Sequence, residues 1–227
     1  MARLLLLETS AAVCSVALAA EGRVISRRAM TEPNRHAEFL TVYCEEVLHE
    51  AGIKIRDLDA VAVSSGPGSY TGLRIGVSAA KGICYATGIP LIAIPTLDVM
   101  ADAMRQQVNA SMYCPMIDAR RMEVYATVYD QELRVLKATS PVVLTEYAFQ
   151  DILEKHTVCF GGDGMPKAKE MLSHYSNAVF TEHGLQLAEN MAMLAEHYFQ
   201  NKNFEDVAYF EPFYLKTFQP GPKRSQA

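Results

Sequence analysis

The sequence predicts an α/β protein made of two lobes, each with the element order β-β-β-α-β-α. Two observations support this prediction. Short apolar runs of strand length alternate with longer stretches in which apolar residues recur every three to four positions. The order then starts again in the second half, where the apolar run 113–117 ends at Asp118, just as the run 4–7 ends at Glu8. Half of the 227 residues are hydrophobic, so each lobe can bury a core.

Three strands in hairpin order are expected at the start of the first lobe. Residues 4–7 form a continuous apolar run, which is typical of a central strand. Residues 13–19 are small or β-branched, and residues 23–30 follow a Glu21-Gly22 pair that suits a tight turn. The chain is therefore predicted to open with a three-stranded meander.

An amphipathic helix is expected next, because apolar residues now recur at helical spacing and glutamates occupy the positions between them. We expect Asn34 to cap this helix and Gly52 to end it. The residues predicted for its apolar side are His36, Phe39, Leu40, Tyr43, Val47 and Ala51.

A strand, a glycine-rich turn, a second helix and a fifth strand complete the first lobe. Residues 60–64 are the predicted strand, and a Gly-Pro-Gly turn at 66–68 ends it. A helix rich in small residues is predicted over about 70–87 and ends at Gly88. Residues 90–94 are the fifth strand.

The second half resembles a degraded copy of this order. A glycine-rich stretch again breaks its last predicted strand. Its strands are expected at 113–117, 124–129, 133–144 and 157–160, and its helix at 145–155.

These units set the predicted domain organisation. The lobes are expected at 1–108 and 109–217, with part of the last helices packing back on the first lobe, and 218–227 is expected to be a disordered tail. Tandem units whose first strands end in an acid suggest the two-lobed, actin-like ATPase (ASKHA) architecture, which is built on ribonuclease-H-like lobes. In that architecture the ligand lies between the lobes, near the acids and the glycine turns.

The composition argues against several classes of protein. The net charge is −5 and the 21 Lys and Arg residues are scattered, whereas a protein that binds nucleic acid alone usually carries a concentrated basic surface. Any contact with RNA is therefore expected to be indirect. The five cysteines form no CxxC pair, which suits a reducing cytoplasm. The longest apolar runs are too short for a membrane span, and the N-terminal run is too short for a signal peptide.

The glycine-rich stretch 64–76 allows two interpretations. A glycine turn between a strand and a helix places backbone N–H groups where they can hold a phosphate, although the sequence matches neither the Walker motif nor GxGxxG. The alternative is that the glycines only permit a sharp turn and close packing. The residues predicted for a nucleotide or phosphate contact are Thr9, Ser10, Gly66, Gly68, Ser69 and Thr71.

Small residues also recur along one face of the second helix. Glycine inside a helix costs about 1 kcal/mol relative to alanine, so a close contact should compensate for it. That contact is either a partner protein or the lobe's own core, and the sequence leaves both open. The residues predicted for a partner interface are Gly72, Gly76 and Ala80, with His36, Leu40 and Tyr43 from the first helix.

No catalytic set can be assembled from the sequence. The six histidines form no HExxH or HxxxH pair, and no GxSxG elbow is present. Acids at strand ends could meet in the cleft and bind a metal, but they more often cap turns or pair with arginine, so no metal is expected. These cleft residues are Glu8, Asp118, Glu123 and the base Arg120.

Five stretches together resemble the TsaB (YeaZ) family over nearly the whole chain. The glycine-rich stretch is the most specific of them, and the last is weak by itself. They are residues 8–10, 14–18, 66–76, 117–125 and 212–216.

The resemblance implies the actin-like fold and a role without catalysis. TsaB-like proteins support a TsaD-like catalytic paralogue, together with a TsaE-like ATPase, in transferring a threonylcarbamoyl group to adenosine 37 of tRNA. The resemblance also implies a homodimer when the chain is alone, and ATP or ADP at the partner interface is a further expectation. The alternative is an enzyme acting alone, either an M22-type metallopeptidase or an actin-like ATP-dependent enzyme.

Two details of the resemblance bear on chemistry. The catalytic paralogue carries two metal-binding histidines four residues apart after its fifth strand. Thr96 and Met100 stand at those positions here, and neither replaces neutral imidazole as a ligand. Glu8 stands where many members have Asp, which weakens the expectation of a nucleotide-linked metal at that carboxylate.

Overall fold

The computed structural model describes residues 2–30 and 35–216, which form two lobes with a five-stranded sheet in each. The strands of the first lobe are β1 (Arg3–Glu8), β2 (Cys14–Ala20), β3 (Arg23–Met30), β4 (Ala60–Gly66) and β5 (Leu91–Pro95). Its helices are α1 (His36–Glu50), α2 (Tyr70–Thr87) and α3 (Thr96–Gln107).

The second lobe has strands of similar length but shorter helices. Its strands are β6 (Met112–Asp118), β7 (Glu123–Asp130), β8 (Val135–Val143), β9 (Val158–Gly161) and β10 (Ala178–Phe180). The helices that follow in the chain are α4 (Gln150–Leu153), α5 (Met165–Leu172) and α6 (Ala192–Gln200).

Both sheets have the same topology. The strand order is β3-β2-β1-β4-β5 in the first lobe and β8-β7-β6-β9-β10 in the second. In each lobe the first strand runs antiparallel to the second and parallel to the fourth. The predicted duplicated α/β architecture is therefore confirmed.

Local sequence signals account for the turns and for α2. Glu21 and Gly22 both have positive φ, at 51° and 71°, as the predicted hairpin turn requires. The Ser69 side chain accepts a hydrogen bond from the backbone of Gly72 and caps α2, and Gly88 ends the helix with a φ of 75°. Both ends of α2 thus lie where the sequence predicts them.

The structure corrects one predicted helix, adds a helix that was not predicted, and leaves two predictions untested. The helix predicted over 145–155 is wrong in length, since only α4 is helical and Phe149 before it has a left-handed φ of 62°. Helix α3 lies where no helix was predicted. Asn34, the predicted cap of α1, and the predicted disordered tail lie outside the described residues, and the residue before α1 makes no side-chain cap.

The sheet of the first lobe is covered on both faces. Helices α1 and α2 pack on one face, where Leu5, Leu40 and Val77 belong to one core cluster. Helix α6 packs on the other face, where Leu4 and Ala195 share a second cluster. The last helix of the described residues therefore lies on the first lobe.

Helix α3 packs against both lobes. Leu97 and Met100 contact Ile117 of the second lobe, while Val99 belongs to the core of the first. The Tyr129 hydroxyl donates to the Asp98 carboxylate at 2.5 Å. Among the described residues, no helix is long and apolar enough to cross a membrane.

Candidate functional site between the lobes

A cleft of about 1270 Å³ lies between the lobes. The first lobe contributes the loop after β1, the start of α1 and the start of α2, with Ser10, His36, Gly68, Ser69, Tyr70 and Thr71. The second lobe contributes the loops after β6 and β9, with Asp118, Arg120 and Asp163, and Tyr125 from β7.

Glu8 is buried beneath this cleft and does not line it. Its Oε1 accepts hydrogen bonds from the Ser10 amide at 2.6 Å and the Ser64 hydroxyl at 2.9 Å, while its Oε2 has no hydrogen-bond partner within the described part of the chain. Burial raises the pKa of the Glu8 carboxyl, and these hydrogen bonds oppose that rise only in part. The prediction of Glu8 as a cleft acid is therefore corrected: its carboxyl braces the loop after β1 from inside.

The small-residue face of α2 packs against this same loop. A Cβ on Gly72 would overlap the Thr9 carbonyl, and a Cβ on Gly76 would overlap the Thr9 hydroxyl. Ala80 is fully buried in the core of the lobe. The prediction of a partner interface at these three residues is corrected, because their small size serves an internal contact.

The stripe predicted on α1 also faces inward. His36 is only 7% exposed, and its Nε2 lies 3.0 Å from the carbonyl of Ala11. Leu40 is buried in the core, and Tyr43 packs partly against it and against the Phe39 ring at 5.7 Å. His36 fastens the start of α1 to the loop after β1 while it lines the cleft, and Leu40 and Tyr43 pack within the lobe. The contacts described for both stripes thus lie within their own lobe.

Four of the six residues predicted for a phosphate contact lie together at the cleft, beside the start of α2. Ser10, Gly68, Ser69 and Thr71 line the cleft. Among the described residues, the buried Ser10 hydroxyl makes no close hydrogen bond, and the first N–H groups of α2 lie at the same wall. Such donors suit a phosphate or carboxylate.

The other two residues predicted for a phosphate contact lie elsewhere. Thr9 packs under α2, as described above. Gly66 is buried with a φ of 107°, and a Cβ there would lie 2.5 Å from the carbonyl oxygen of Phe213. Gly66 therefore serves the packing of the C-terminal segment rather than a ligand.

The acids of the second lobe are already paired. The Asp118 carboxylate accepts hydrogen bonds from the Lys167 ammonium at 2.6 Å and from the Arg120 amide at 2.6 Å. Glu123 forms an ion pair with Lys216. Among residues 2–30 and 35–216, no three His, Cys, Asp or Glu residues are placed to hold a metal ion. Asp118 caps a turn, as the alternative to a metal site predicts, but the ion pairs of these acids are with lysine and not with the expected arginine.

The residues in place of the paralogue's histidines lie in a packed interior. Thr96 is the first residue of α3 and Met100 lies one turn later, and both are fully buried. The thioether methyl of Met100 fills the space beside Gly162 that a Cβ on that glycine would need. A sulfur and a hydroxyl in this packing offer poor ligands for a zinc or iron ion.

Two cleft residues were missed by sequence reasoning. Asp163 accepts a hydrogen bond from the Asp118 amide at 3.0 Å and thus joins the loops after β6 and β9. The Tyr125 ring lies beside the Lys216 ammonium, 5.9 Å from the ring centroid. The glycines around Asp163 were the available signal, whereas Tyr125 carries no local signal in its strand.

Comparisons with known proteins identify the family. The chain matches the TsaD family model, described as tRNA N6-adenosine threonylcarbamoyltransferase, over residues 29–219. The chain belongs to this family. Within it, the chain falls in the TsaB (YeaZ) group, as two kinds of comparison agree.

Relatives of known sequence support this placement. The chain is 29% identical to the tRNA threonylcarbamoyladenosine biosynthesis protein TsaB of Escherichia coli K12 over 224 residues, which is 95% of each chain. It is 28% identical to TsaB of Bacillus subtilis over 74% of each chain. The transferase of Ruegeria pomeroyi is 52% identical over 59 residues, but these are only 16% of that protein.

Solved structures agree in fold. YeaZ from Pseudomonas aeruginosa superposes with a TM-score of 0.81 at 28% identity, covering 95% of this chain and all of that one. The ethanolamine utilization protein EutJ from Carboxydothermus hydrogenoformans superposes with a TM-score of 0.53 at 10% identity. This second likeness, over 85% of this chain and 89% of that one, concerns the fold alone.

Proposed function

We propose that this chain acts in tRNA N6-threonylcarbamoyladenosine formation as a non-catalytic scaffold. It would support a TsaD-like transferase together with a TsaE-like ATPase, and contact tRNA only through them. The observation that supports the non-catalytic part is the packing of Thr96 and Met100, which stand in place of the two metal-binding histidines of the catalytic paralogue. The relatives are named tRNA threonylcarbamoyladenosine biosynthesis proteins, and these names support a role in forming this tRNA modification. The buried thiols suit a cytoplasmic protein.

The partner surface is proposed on the outward faces of α1 and α2, because their inward faces are already used. On α2 the exposed residues include Arg74, Ser78, Gly82 and Tyr85, and the Tyr85 side chain is 88% exposed. Exposed tyrosine and arginine side chains are frequent anchors of protein interfaces. In isolation the same surface would support a homodimer.

Adenine nucleotide binding in the cleft is proposed as an accessory property. The unpartnered Ser10 hydroxyl and the start of α2 suit the phosphates. Glu8 is buried and Asp118 is paired with Lys167, so neither carboxylate is free for a metal ion on the phosphates. Calorimetric titration of the chain with ADP, alone and with the TsaD-like protein, tests this property, and no heat of binding in either sample would contradict it.

Reconstitution tests the main proposal. The TsaD-like and TsaE-like proteins from the same cell should form modified tRNA only when this chain and the threonylcarbamoyl donor are added. The chain alone should transfer no threonylcarbamoyl group, hydrolyse no ATP and cleave no peptide. Full transfer without this chain, or turnover by the pure chain, would contradict the proposal.

Gly82 offers a specific test of the surface, because a Cβ placed there would meet no described atom within 4 Å beyond its own helix backbone. Gly82→Arg is expected to weaken binding to the TsaD-like protein by about tenfold or more, since it places a bulky charge in the proposed interface. Gly82→Ala is the matched control and should bind normally. Equal affinity of both variants in a calorimetric titration would show that the partner does not bind at this face of α2.

A further inference from the structure

The C-terminal segment 204–216, here called the strap, runs along the first lobe after α6. Near its start, the Glu205 amide donates to the Leu91 carbonyl at 2.9 Å, at the edge of the sheet. The Lys81 ammonium of α2 then donates to the carbonyls of Ala208 at 3.2 Å and Phe210 at 3.0 Å. The strap is thus attached by main-chain groups to β5 and α2.

The strap next reaches the glycine turn that precedes α2. The Phe213 amide donates to the Ser65 carbonyl at 2.7 Å, and the Phe213 carbonyl lies against Gly66. The Tyr214 ring then packs on Tyr70 at the wall of the cleft, with 4.9 Å between ring centroids. Up to this point every contact described for the strap is with the first lobe.

The last described residue of the strap reaches the other lobe. The Lys216 ammonium pairs with the carboxylate of Glu123, the first residue of β7, and lies beside the Tyr125 ring. Both Lys216 and Tyr125 line the cleft, so the contact lies at the cleft wall. A segment fastened along the first lobe therefore ends on the second lobe.

We infer that the strap is a latch that limits opening of the cleft, with the Lys216–Glu123 pair as its releasable end. Helix α3 packs on both lobes and can serve as the pivot, while the strap adds a connection across the cleft. The Lys216 side chain is 47% exposed and that of Glu123 is 22% exposed, so this pair can break without unfolding either lobe. The latch would operate whether or not the chain assembles with a catalytic partner.

The solvent exposure of the Lys216–Glu123 pair also determines how far breaking it should shift the balance between open and closed molecules. Ion pairs that are exposed to solvent change an equilibrium by roughly two- to fivefold. Removing Lys216 should therefore raise the ratio of open to closed molecules by about this factor. Raising the salt concentration should shift the wild-type chain in the same direction, because ions screen the pair.

Electron paramagnetic resonance can measure the distance between the lobes in the full chain. Nitroxide labels at Arg56→Cys in the first lobe and His156→Cys in the second occupy exposed positions. The five native cysteines are buried, and burial raises the pKa of their thiols, so labelling should be selective. The reference is the distance distribution of the labelled chain with the wild-type strap.

Lys216→Ala and Glu123→Lys should each shift this distribution toward longer distances or broaden it. The double charge swap E123K/K216E should restore the original distribution, because it rebuilds the pair with reversed charges. Lys167→Ala is the matched control, since Lys167 pairs with Asp118 inside the second lobe. The latch is refuted if Lys216→Ala leaves the distribution unchanged, if the swap does not restore it, or if Lys167→Ala opens the cleft equally.

Discussion

The two lobes share one sheet topology but use it differently. In the first lobe helices cover both faces of the sheet, and the core clusters of both faces are continuous along β1. In the second lobe α4 has only four residues, and the edge strand β8 is exposed along most of its length, with Leu136 half exposed. The first lobe therefore has the burial expected of a rigid domain, whereas the second has less covered surface and is expected to be more mobile.

The acids that end the first strand of each lobe show the same contrast. Glu8 is fully buried and bonded to the Ser10 amide and the Ser64 hydroxyl, whereas Asp118 is exposed and paired with Lys167. At this position of the duplicated unit, the residue of the first lobe, Glu8, lies in the interior, and that of the second lobe, Asp118, lies at the surface. Equivalent positions in a duplicated fold need not keep equivalent roles.

The largest expected effect comes from filling the interior of the first lobe. Gly76→Leu places a large side chain against Thr9 and should lower the free energy of unfolding by about 2–4 kcal/mol. Gly82→Leu on the outer face of the same helix is the control, because a Cβ there meets nothing within 4 Å. It should raise stability by up to about 1 kcal/mol, since leucine favours helix more than glycine does. Urea denaturation measures both, and equal effects would show that Gly76 is not a packing constraint.

Replacing the buried acid Glu8 should change the free energy of unfolding by less than Gly76→Leu does, and it should stabilise the protein instead of destabilising it. The folded state raises the pKa of Glu8, so its carboxyl favours folding most at low pH and loses that contribution as the pH rises through the raised value. Glu8→Gln removes the charge and keeps an acceptor for the Ser10 amide. We therefore expect it to stabilise the protein at pH 7, on the order of 1 kcal/mol, and to remove this part of the pH dependence. Thermal melts from pH 4 to 8 test this, and a loss of stability at pH 7 would contradict it.

The smallest effect is expected at the surface acid of the second lobe. Lys167→Ala breaks a single, partly exposed ion pair with Asp118 and should lower the free energy of unfolding by less than about 1 kcal/mol. The loss should shrink at high salt concentration, because ions screen such pairs. Urea denaturation at low and high salt measures it. A loss as large as that of Gly76→Leu would remove the contrast between the lobes.

The sequence predicts most of the fold, because its local signals agree with the tertiary structure. The capping serine and the terminal glycine define α2, and the repeated apolar run ending in an acid reveals the second lobe. Helix α3 was missed because it packs on both lobes, so its apolar residues follow no single stripe. The predicted helix near 145–155 is shortened by the left-handed Phe149, which no local pattern signals.

The candidate site is harder to predict from the sequence. A small-residue stripe has the same spacing whether it meets a partner or its own core, and only the position of Thr9 distinguishes these cases. The loop after β1 places Glu8 inside and Ser10 at the cleft, although the two residues are only two positions apart. The contact of Lys216 with Glu123 joins residues 93 positions apart in the chain. Such contacts depend on tertiary packing and leave no local signal.

The contact between Gly66 and the main chain of Phe213 restricts how this sequence can diverge over evolution. Any side chain at position 66 would meet a carbonyl that belongs to the backbone, so no substitution at position 213 can make room for it. Position 213 itself can vary more freely, because its contribution to this contact is a main-chain atom. A relative that has lost this glycine is therefore expected to route its C-terminal segment differently, and the two changes should be inherited together.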